Sequence, residues 1–170
     1  TDNNQLIQSW NKGAEKIYGW TAEEVLGKNV NLFFKTEFPE NESTQMALEE
    51  LLKNGSYKKE FSQERKDGKR ISVFSSASVL KNEKGEITGM VSVNRDITEI
   101  KVVEEQLRER EEQIRTIFQH APEAIILIDE KSIIKEWNPF AEKIFGWSKK
   151  EALGKYLYDL IIPPSYRDAH

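Results

Sequence analysis

An internal repeat constrains this chain more than any other feature. Residues 5–28 and residues 132–155 are identical at more than half of their aligned positions, with a constant offset of 127 residues that relates Trp10 to Trp137. This offset is too long for one unit of a solenoid and fits a small domain followed by a linker. The 170-residue chain is therefore expected to hold two copies of one domain, both incomplete. The first copy has no counterpart of the apolar run at residues 124–128.

Local signals predict the same short elements in both copies. Asn11 and Asn138 stand where a strand ends and a helix begins, and an Asn side chain at such a point can cap the helix. Thr21 with Glu24, and the equivalent pair 127 residues later, have the spacing of a capping box at a second helix. Each copy is therefore expected to place two short helices after one strand.

Later in the first copy the period changes from helical to alternating. Residues 43–53 have the apolar spacing of a helix, and Asp67-Gly68 is typical of a tight hairpin between two following strands. A third antiparallel strand completes the meander, and helices must cover its apolar face. The residues predicted to line that face on the last two strands are Ile71, Val73, Ser75, Ala77, Val79, Ile87, Gly89, Val91 and Val93.

The segment between the two copies has the pattern of a helix that pairs with another helix. Its apolar residues alternate in steps of three and four, which is a heptad seam, and the residues between them are almost all charged. The seam positions are Ile100, Val103, Leu107, Arg110, Ile114 and Ile117. This pattern predicts a two-stranded coiled coil in which Arg110 lowers stability and fixes the register. The alternative is an amphipathic helix that lies on its own domain.

Composition excludes several classes of site. The chain has no cysteine, which rules out disulfides, thiolate nucleophiles and zinc sites built on cysteine. With two histidines, no carboxylate cluster at metal spacing and no glycine-rich phosphate loop, neither a metal site nor a catalytic site is predicted. A net charge of −4 argues against nucleic acid, and the longest apolar run is too short to cross a bilayer. We therefore expect a cytoplasmic segment that makes no membrane contact and has no enzyme activity of its own.

The order of short motifs along the chain is Trp10-Asn11, Ala14-Glu15, Ile17, Gly19-Trp20, Glu24, Gly27-Lys28, Arg65-Lys66-Asp67-Gly68 and Arg95-Asp96-Ile97-Thr98-Glu99. This order resembles the PAS sensory domain of bacterial and archaeal signalling proteins such as sensory-box histidine kinases, and the resemblance covers essentially the whole chain. It implies an α+β fold with a five-stranded antiparallel sheet in the spatial order 2-1-5-4-3, short helices on one face and a pocket between them. It divides the chain into a first PAS domain at residues 1–97 without its first strand, a coiled-coil signalling helix at 98–118, and the N-terminal half of a second PAS domain at 119–170.

In the implied strand order the missing first strand would be central. Its absence would leave two strand edges facing an empty slot, which is a costly arrangement. Our hypothesis is that residues 124–129 of the second copy supply the strand, within the chain or from a partner chain. The alternative is that these 170 residues are part of a longer protein whose boundary misses the strand.

The resemblance leaves two function classes open. In the first, a sensory module binds a small ligand or partner and passes the change through Asp96 and Thr98 and a homodimeric linker helix to an output domain outside this chain. In the second, the domain is a structural dimerisation module with a filled core and no ligand. The residues expected to contact a ligand are Ile17, Leu32, Phe33, Leu48, Phe61, Ile71, Val73, Val91 and Val93.

No cofactor follows from the sequence. Photoactive flavin domains of this family need a cysteine that is absent here, and His170 is not expected to bind haem. His120 is interpreted as an entry-loop residue rather than a phosphoacceptor, because Pro122 would end a helix. The aromatic residues Trp10, Tyr18, Trp20 and Phe33 are interpreted as core packing rather than as a cofactor box.

Overall fold

The computed structural model describes residues 1–39 and 42–161, so the expectations for the end of the second copy, His170 included, lie outside the described residues. The chain divides into two compact units, residues 1–104 and residues from 105 onward. The elements of the first unit are α1 (Lys12–Tyr18), α2 (Ala22–Val25), a 3-10 turn (Val30–Leu32), β1 (Thr36–Glu37), α3 (Thr44–Asn54), β2 (Ser56–Glu64), β3 (Arg70–Lys81) and β4 (Ile87–Asp96). The helix α4 (Thr98–His120) follows, and the second unit continues with β5 (Ile126–Ile128), β6 (Ile134–Trp137), α5 (Pro139–Phe145), α6 (Lys149–Ala152) and α7 (Leu157–Ile161).

The local signals of the repeat form the same structures in both copies, as predicted. The side chains of Asn11 and Asn138 accept a hydrogen bond from the first turn of α1 and α5, and both capping boxes are formed. The indole of Trp10 donates to the carbonyl of Trp20 at 2.9 Å, and the equivalent bond from Trp137 is 3.0 Å long. The agreement reflects caps and turns whose partners lie close in sequence.

The sheet of the first unit is antiparallel and has the order β1-β2-β3-β4. The predicted count of five strands in one sheet is not confirmed within residues 1–39 and 42–161, and β1 was not predicted. Residues 7–10, where a strand was expected before Asn11, form no strand in the described structure. Instead, the chain start lies beside β4, where the amino group of Thr1 donates to the carbonyl of Met90 at 2.8 Å and the amide of Met90 donates back at 2.9 Å.

In the second unit β5 pairs with β6 of the same unit. The buried residues Ile134, Trp137, Ala141 and Ala152 pack together beneath these strands and the following helices. The expected donation of this strand to the first unit stays a prediction, since the pairing that the structure contains is internal to the second copy.

The helices of the first unit cover one face of β2 and β3. Phe61, Ile71, Val73 and Ala77 are buried on that face, and the alternation predicted for β3 is confirmed. α1 contributes the buried ring of Tyr18, while Ala47 and Leu51 are the buried residues of α3.

The face predicted for Gly89, Val91 and Val93 of β4 is wrong. Val93 lies opposite Ser76 and Val91 opposite Ser78, and directly opposed residues of antiparallel strands point to the same side of the sheet. Both valines therefore lie on the outer face, where they are 69% and 46% exposed. The pairing shifts by one residue between Leu80 and Lys81, and this bulge places Gly89, Val91 and Val93 on the face opposite to that of Ile87.

We predict that Val73→Ala lowers the free energy of unfolding by about 2 kcal/mol, because Val73 is fully buried and its loss leaves a cavity. The matched control Val93→Ala should change it by less than about 0.5 kcal/mol, because its side chain is mostly solvent-exposed. Urea denaturation of the full chain measures both values. Equal decreases in the free energy of unfolding for the two variants would contradict the pairing register of β3 with β4.

Candidate functional site

A network of hydrogen bonds crosses the interior of the first unit. The hydroxyl of Tyr18 donates to Gln63 Oε1 at 2.8 Å, and Asn94 Nδ2 donates to the same hydroxyl at 2.7 Å. Gln63 Nε2 continues the network to Thr36 Oγ1 at 2.9 Å. Side chains that are far apart in sequence thereby join α1, β1, β2 and β4. Sequence reasoning missed this network; the position of Gln63 on the inner face of β2, two residues after Phe61, was the signal that could have indicated it.

One atom of this network has no partner in the part of the chain that the structure describes. Asn94 Oδ1 is buried and accepts no hydrogen bond within residues 1–39 and 42–161. A buried amide oxygen without a donor is unfavourable by roughly 1 to 3 kcal/mol. Burial also raises the pKa of Tyr18 above its ordinary value, so its hydroxyl stays neutral and continues to donate.

Aromatic rings occupy the space between α1 and the sheet. The ring centroids of Tyr18 and Phe34 are 4.7 Å apart, and that of Trp10 lies 5.7 Å from Tyr18 and 6.0 Å from Phe34. Trp20 contacts Phe33 edge to face at 5.2 Å. These distances are those of packed aromatic pairs, which supports the interpretation of the aromatic set as core. Phe34 belongs to this cluster and was not predicted.

The structure brings together part of the predicted ligand-contact set. Phe61, Ile71 and Val73 form a buried cluster with Tyr18, and Ile17 packs against it. Phe33 and Leu48 are half-buried, and Leu32 is 73% exposed. Val91 and Val93 lie on the opposite face of the sheet, so they cannot line a space between sheet and helices.

An open groove of about 260 Å³ lies beside the end of the sheet. Its lining residues are Glu37, Phe38, Pro39, Glu60, Phe61, Ser62, Ser72, Ile97 and Lys101. The groove therefore borders the point at which β4 leads into α4.

Hydrogen bonds connect β3 to the start of α4 at this point. Asp96 Oδ1 accepts from the backbone amide of Thr98 at 2.9 Å and from its hydroxyl at 2.6 Å. Thr98 Oγ1 in turn accepts from the amide of Ser72 at 2.9 Å, and the amide of Ile97 donates to the carbonyl of Ser72 at 2.9 Å. Both backbone groups of one β3 residue are thus bonded to the residues at which the helix begins. We call Ser72, Asp96, Ile97 and Thr98 the junction.

A salt bridge adds a second connection between sheet and helix. Lys101 Nζ lies 2.7 Å from Glu60 Oε2 on β2, and this carboxylate raises the pKa of Lys101. Both side chains are about half exposed, so the pair contributes little to stability. The junction, whose bonds include backbone groups, is the stronger restraint on the helix start.

The heptad positions of α4 are solvent-exposed. Between 45% and 67% of the surface of Ile100, Val103, Leu107, Ile114 and Ile117 is accessible. His120 is the last residue of α4 rather than part of a loop, and its Nδ1 lies 2.9 Å from the carbonyl oxygen of Thr116. None of the described helices is long and apolar enough to cross a membrane. The described residues also contain no group of three or more His, Asp or Glu that could hold a metal ion.

Helices on one face of an antiparallel sheet, with a hydrogen-bonded junction into a long helix, define an α+β domain that links a packed interior to an extended helix. A sequence model described as PAS domain matches residues 1–99, and one described as PAS fold matches residues 112–170. The chain belongs to the PAS domain family.

Similar proteins include two curated proteins that are much longer than this chain. Sensor protein FixL of Bradyrhizobium diazoefficiens is 36% identical over 94 residues, which are 55% of this chain and 18% of that protein. Probable diguanylate cyclase DgcE of Escherichia coli is 29% identical over 150 residues, which are 87% of this chain and 13% of that protein. The chain thus spans less than a fifth of these curated relatives. An RNA-binding light-oxygen-voltage receptor matches in fold alone, with a TM-score of 0.51 and 23% identity over 65% of this chain and 31% of that one.

Tyr18→Phe should lower the free energy of unfolding by about 1 to 3 kcal/mol at neutral pH, because Gln63 and Asn94 each lose a partner. Its effect should also depend on pH. Since the pKa of Tyr18 is raised in the folded state, the hydroxyl contributes fully below the ordinary tyrosine pKa of about 10, and the contribution declines above it as the unfolded chain ionises. The stability difference between wild type and Tyr18→Phe, measured by urea denaturation, should narrow above about pH 10.

The control for this experiment is Tyr158→Phe, because Tyr158 is 41% exposed. Its stability difference should be small at every pH. A difference for Tyr18→Phe that stays constant through the alkaline range would contradict the buried, neutral hydroxyl.

Proposed function

We propose that this chain is a sensory PAS module in which a small ligand or a partner acts on the first unit and the junction passes the change to a paired linker helix. PAS family membership and similarity to the sensor protein FixL support a signal-sensing role. The output domain, including any catalytic one, would lie outside these residues.

The junction is the observation that carries this proposal. Ser72 lies between Ile71 and Val73, both of which are buried in the interior of the first unit. A shift of β3 that repacks these side chains would also move the amide and carbonyl of Ser72, which are bonded to Thr98 and Ile97. Packed elements with two discrete arrangements transmit such shifts, because a dense core does not deform continuously.

The unpartnered oxygen of Asn94 favours a ligand over an inert core. It stands two residues before Asp96, and the amide nitrogen of the same side chain is bonded to Tyr18. A small molecule with an N–H or O–H donor would satisfy this oxygen and would compete with the aromatic packing around it. Binding would thereby act on the same strand that ends at the junction.

The aromatic packing supports the second candidate function, a dimerisation module without a ligand. The rings of Trp10, Tyr18 and Phe34 already fill space that a ligand would need. Native mass spectrometry of the purified chain, followed by denaturation of the same sample, separates the two. A dimer with additional mass that leaves on denaturation supports the sensor, and a dimer that stays empty after exposure to cell extract supports the structural module.

We predict that Thr98→Val weakens the junction, because valine keeps the shape of threonine and removes the oxygen that bonds both Ser72 and Asp96. Hydrogen exchange at the Ser72 amide should become about tenfold faster, which corresponds to the loss of one hydrogen bond. The control is Thr88→Val, whose hydroxyl is bonded at the far end of β4. Unchanged exchange at Ser72 would remove the basis of the proposed transmission.

We also predict that Leu107→Glu dissociates the proposed homodimer, because it places a charge in the middle of the apolar seam. Light scattering of wild type and variant measures the mass directly. The control Val102→Glu introduces the same charge at an exposed apolar residue that points away from the seam and should leave the mass unchanged. Equal masses for wild type and Leu107→Glu would contradict the coiled coil and favour a helix that acts alone.

A further inference from the structure

The end of α4 is bonded to the interior of the second unit by one side chain, that of Asn138. Its amide nitrogen donates to the carbonyl oxygens of Phe118, in the last turn of α4, at 3.2 Å and of Glu123 at 2.9 Å. Its amide oxygen accepts from the backbone amides of Ile125 at 3.0 Å and of Ala141 at 2.9 Å. Asn138 is fully buried, so a single interior side chain joins the helix end, the segment that leads to β5 and the start of α5.

These four bonds use the whole hydrogen-bonding capacity of an asparagine side chain, which has two N–H donors and one oxygen with two lone pairs. The carbonyl of Phe118 is one of the last four of α4, which have no partner within the helix. Trp137 and Ala141, which lie close to Asn138 in sequence, belong to the buried cluster of the second unit. Displacing the end of α4 therefore breaks bonds in the interior of this unit, where an unsatisfied polar group is unfavourable.

The first copy contains the same Trp-Asn dipeptide without this arrangement. Asn11 is exposed, and its side chain accepts one hydrogen bond, from the backbone amide of Ala14, within residues 1–39 and 42–161. The bond that caps the helix is thus common to both copies. The three further bonds of the second copy, to Phe118, Glu123 and Ile125, are not needed for the cap. They indicate a separate role, which is to hold the end of α4.

α4 connects this point to the junction of the first unit without interruption. The helix Thr98–His120 has 23 residues, which is a length of about 35 Å, and it contains neither Pro nor Gly, the residues at which helices usually bend or break. Along its length Arg108 forms ion pairs with Glu105 at 2.6 Å and with Glu112 at 2.7 Å. One continuous helix therefore begins at residues bonded to β3 and ends at a residue bonded to Asn138.

We propose that the second unit receives the change that starts in the first unit, and that Asn138 is the positioning residue through which it does so. This proposal rests on the proposed sensory function and names the part of the chain on which the junction acts. A displacement of α4 at the junction would move the carbonyl of Phe118, and Asn138 would pass this movement to Ile125 and to the first turn of α5. Because packed interiors change between discrete arrangements, the second unit would respond in its interior rather than at its surface.

Coupling of this kind is reciprocal. Weakening the junction should loosen the bonds of Asn138, and weakening those bonds should loosen the junction, since α4 takes part in both. Amide hydrogen exchange reports the two ends separately. The Ser72 amide is bonded to Thr98 Oγ1 in the first unit, and the Ile125 amide is bonded to the Asn138 side chain in the second. A merely structural role of Asn138 would change exchange at its own bonds and leave Ser72 unaffected.

Asn138→Ser tests the proposal in the full chain. Serine also caps helices, but one hydroxyl cannot replace the bonds to Phe118, Glu123 and Ile125. Exchange at the Ser72 amide, measured by NMR, should become about threefold faster. The matched control is Asn11→Ser, which makes the same substitution in the same motif of the first unit and keeps the cap of α1. Exchange at Ser72 should be unchanged in this control.

A second measurement decides the case where Asn138→Ser unfolds the second unit. Thr98→Val leaves Asn138 intact, and it should make exchange at the Ile125 amide about threefold faster. Combining it with Glu109→Gly and Glu111→Gly, at two exposed positions in the middle of α4, should abolish this effect, because glycine lets the helix bend there. An Ile125 amide that does not respond to Thr98→Val, or a response that persists with both glycines, overturns the inference.

The outcomes distinguish this inference from the proposed function. If Thr98→Val leaves exchange at Ser72 unchanged, the junction does not restrain the helix and both proposals are overturned. If Thr98→Val speeds exchange at Ser72 while Ile125 stays unchanged, and Asn138→Ser acts on the second unit only, this inference alone is overturned. The first unit would then act through α4 without the second.

Discussion

The two backbone hydrogen bonds of Ser72 are the constraint on which the arrangement of the first unit and its helix depends. β3 is paired on both sides, by β2 and by β4, and its inner residues Ile71 and Val73 are buried. A strand held in this way cannot shift without changing the core. Because the amide and carbonyl of Ser72 bind Thr98 and Ile97, the start of α4 is bonded to a strand that has a neighbouring strand on each side. The long helix therefore begins at residues that are bonded to a strand of the interior rather than at a surface loop.

The interior itself combines two opposing features. Aromatic packing around Tyr18 makes it dense, while the network from Thr36 to Asn94 makes it polar along one line. A buried polar network is stabilising when every member is bonded and becomes unfavourable where one is not. The unpartnered oxygen of Asn94 is such a place, and it lies on the strand that ends at the junction. In our proposal, the choice between a sensor and a filled structural module depends on whether a ligand donates a hydrogen bond to this oxygen.

The two copies of the repeat share the structure that nearby residues determine and differ where a distant strand is needed. Asp2 and Asp129 each accept hydrogen bonds from the amides two and four residues later, and Gln5 and Ser132 both adopt a positive φ, of 61° and 63°. The turn is thus the same in both copies. The segment after the turn differs between the copies, because β6 pairs with β5 while residues 7–10 pair with no strand within residues 1–39 and 42–161. The same type of sequence becomes a strand only where a partner supplies the ladder.

The sequence alone determined the features whose partners are close along the chain. These include the helix caps at Asn11 and Asn138, the capping boxes, the alternation of β3 and the continuous helix that carries the heptad seam. Tertiary structure alone decided the face of Gly89, Val91 and Val93, because a bulge in the pairing of β4 with β3 reverses these residues whatever their hydrophobicity. It also decided the polar network, whose members Tyr18 and Asn94 are 76 positions apart. Local signals depend on hydrogen bonds between residues that are close in sequence. Strand register and buried polar contacts depend on which distant segments pack together, and the pattern of a single sequence does not specify this.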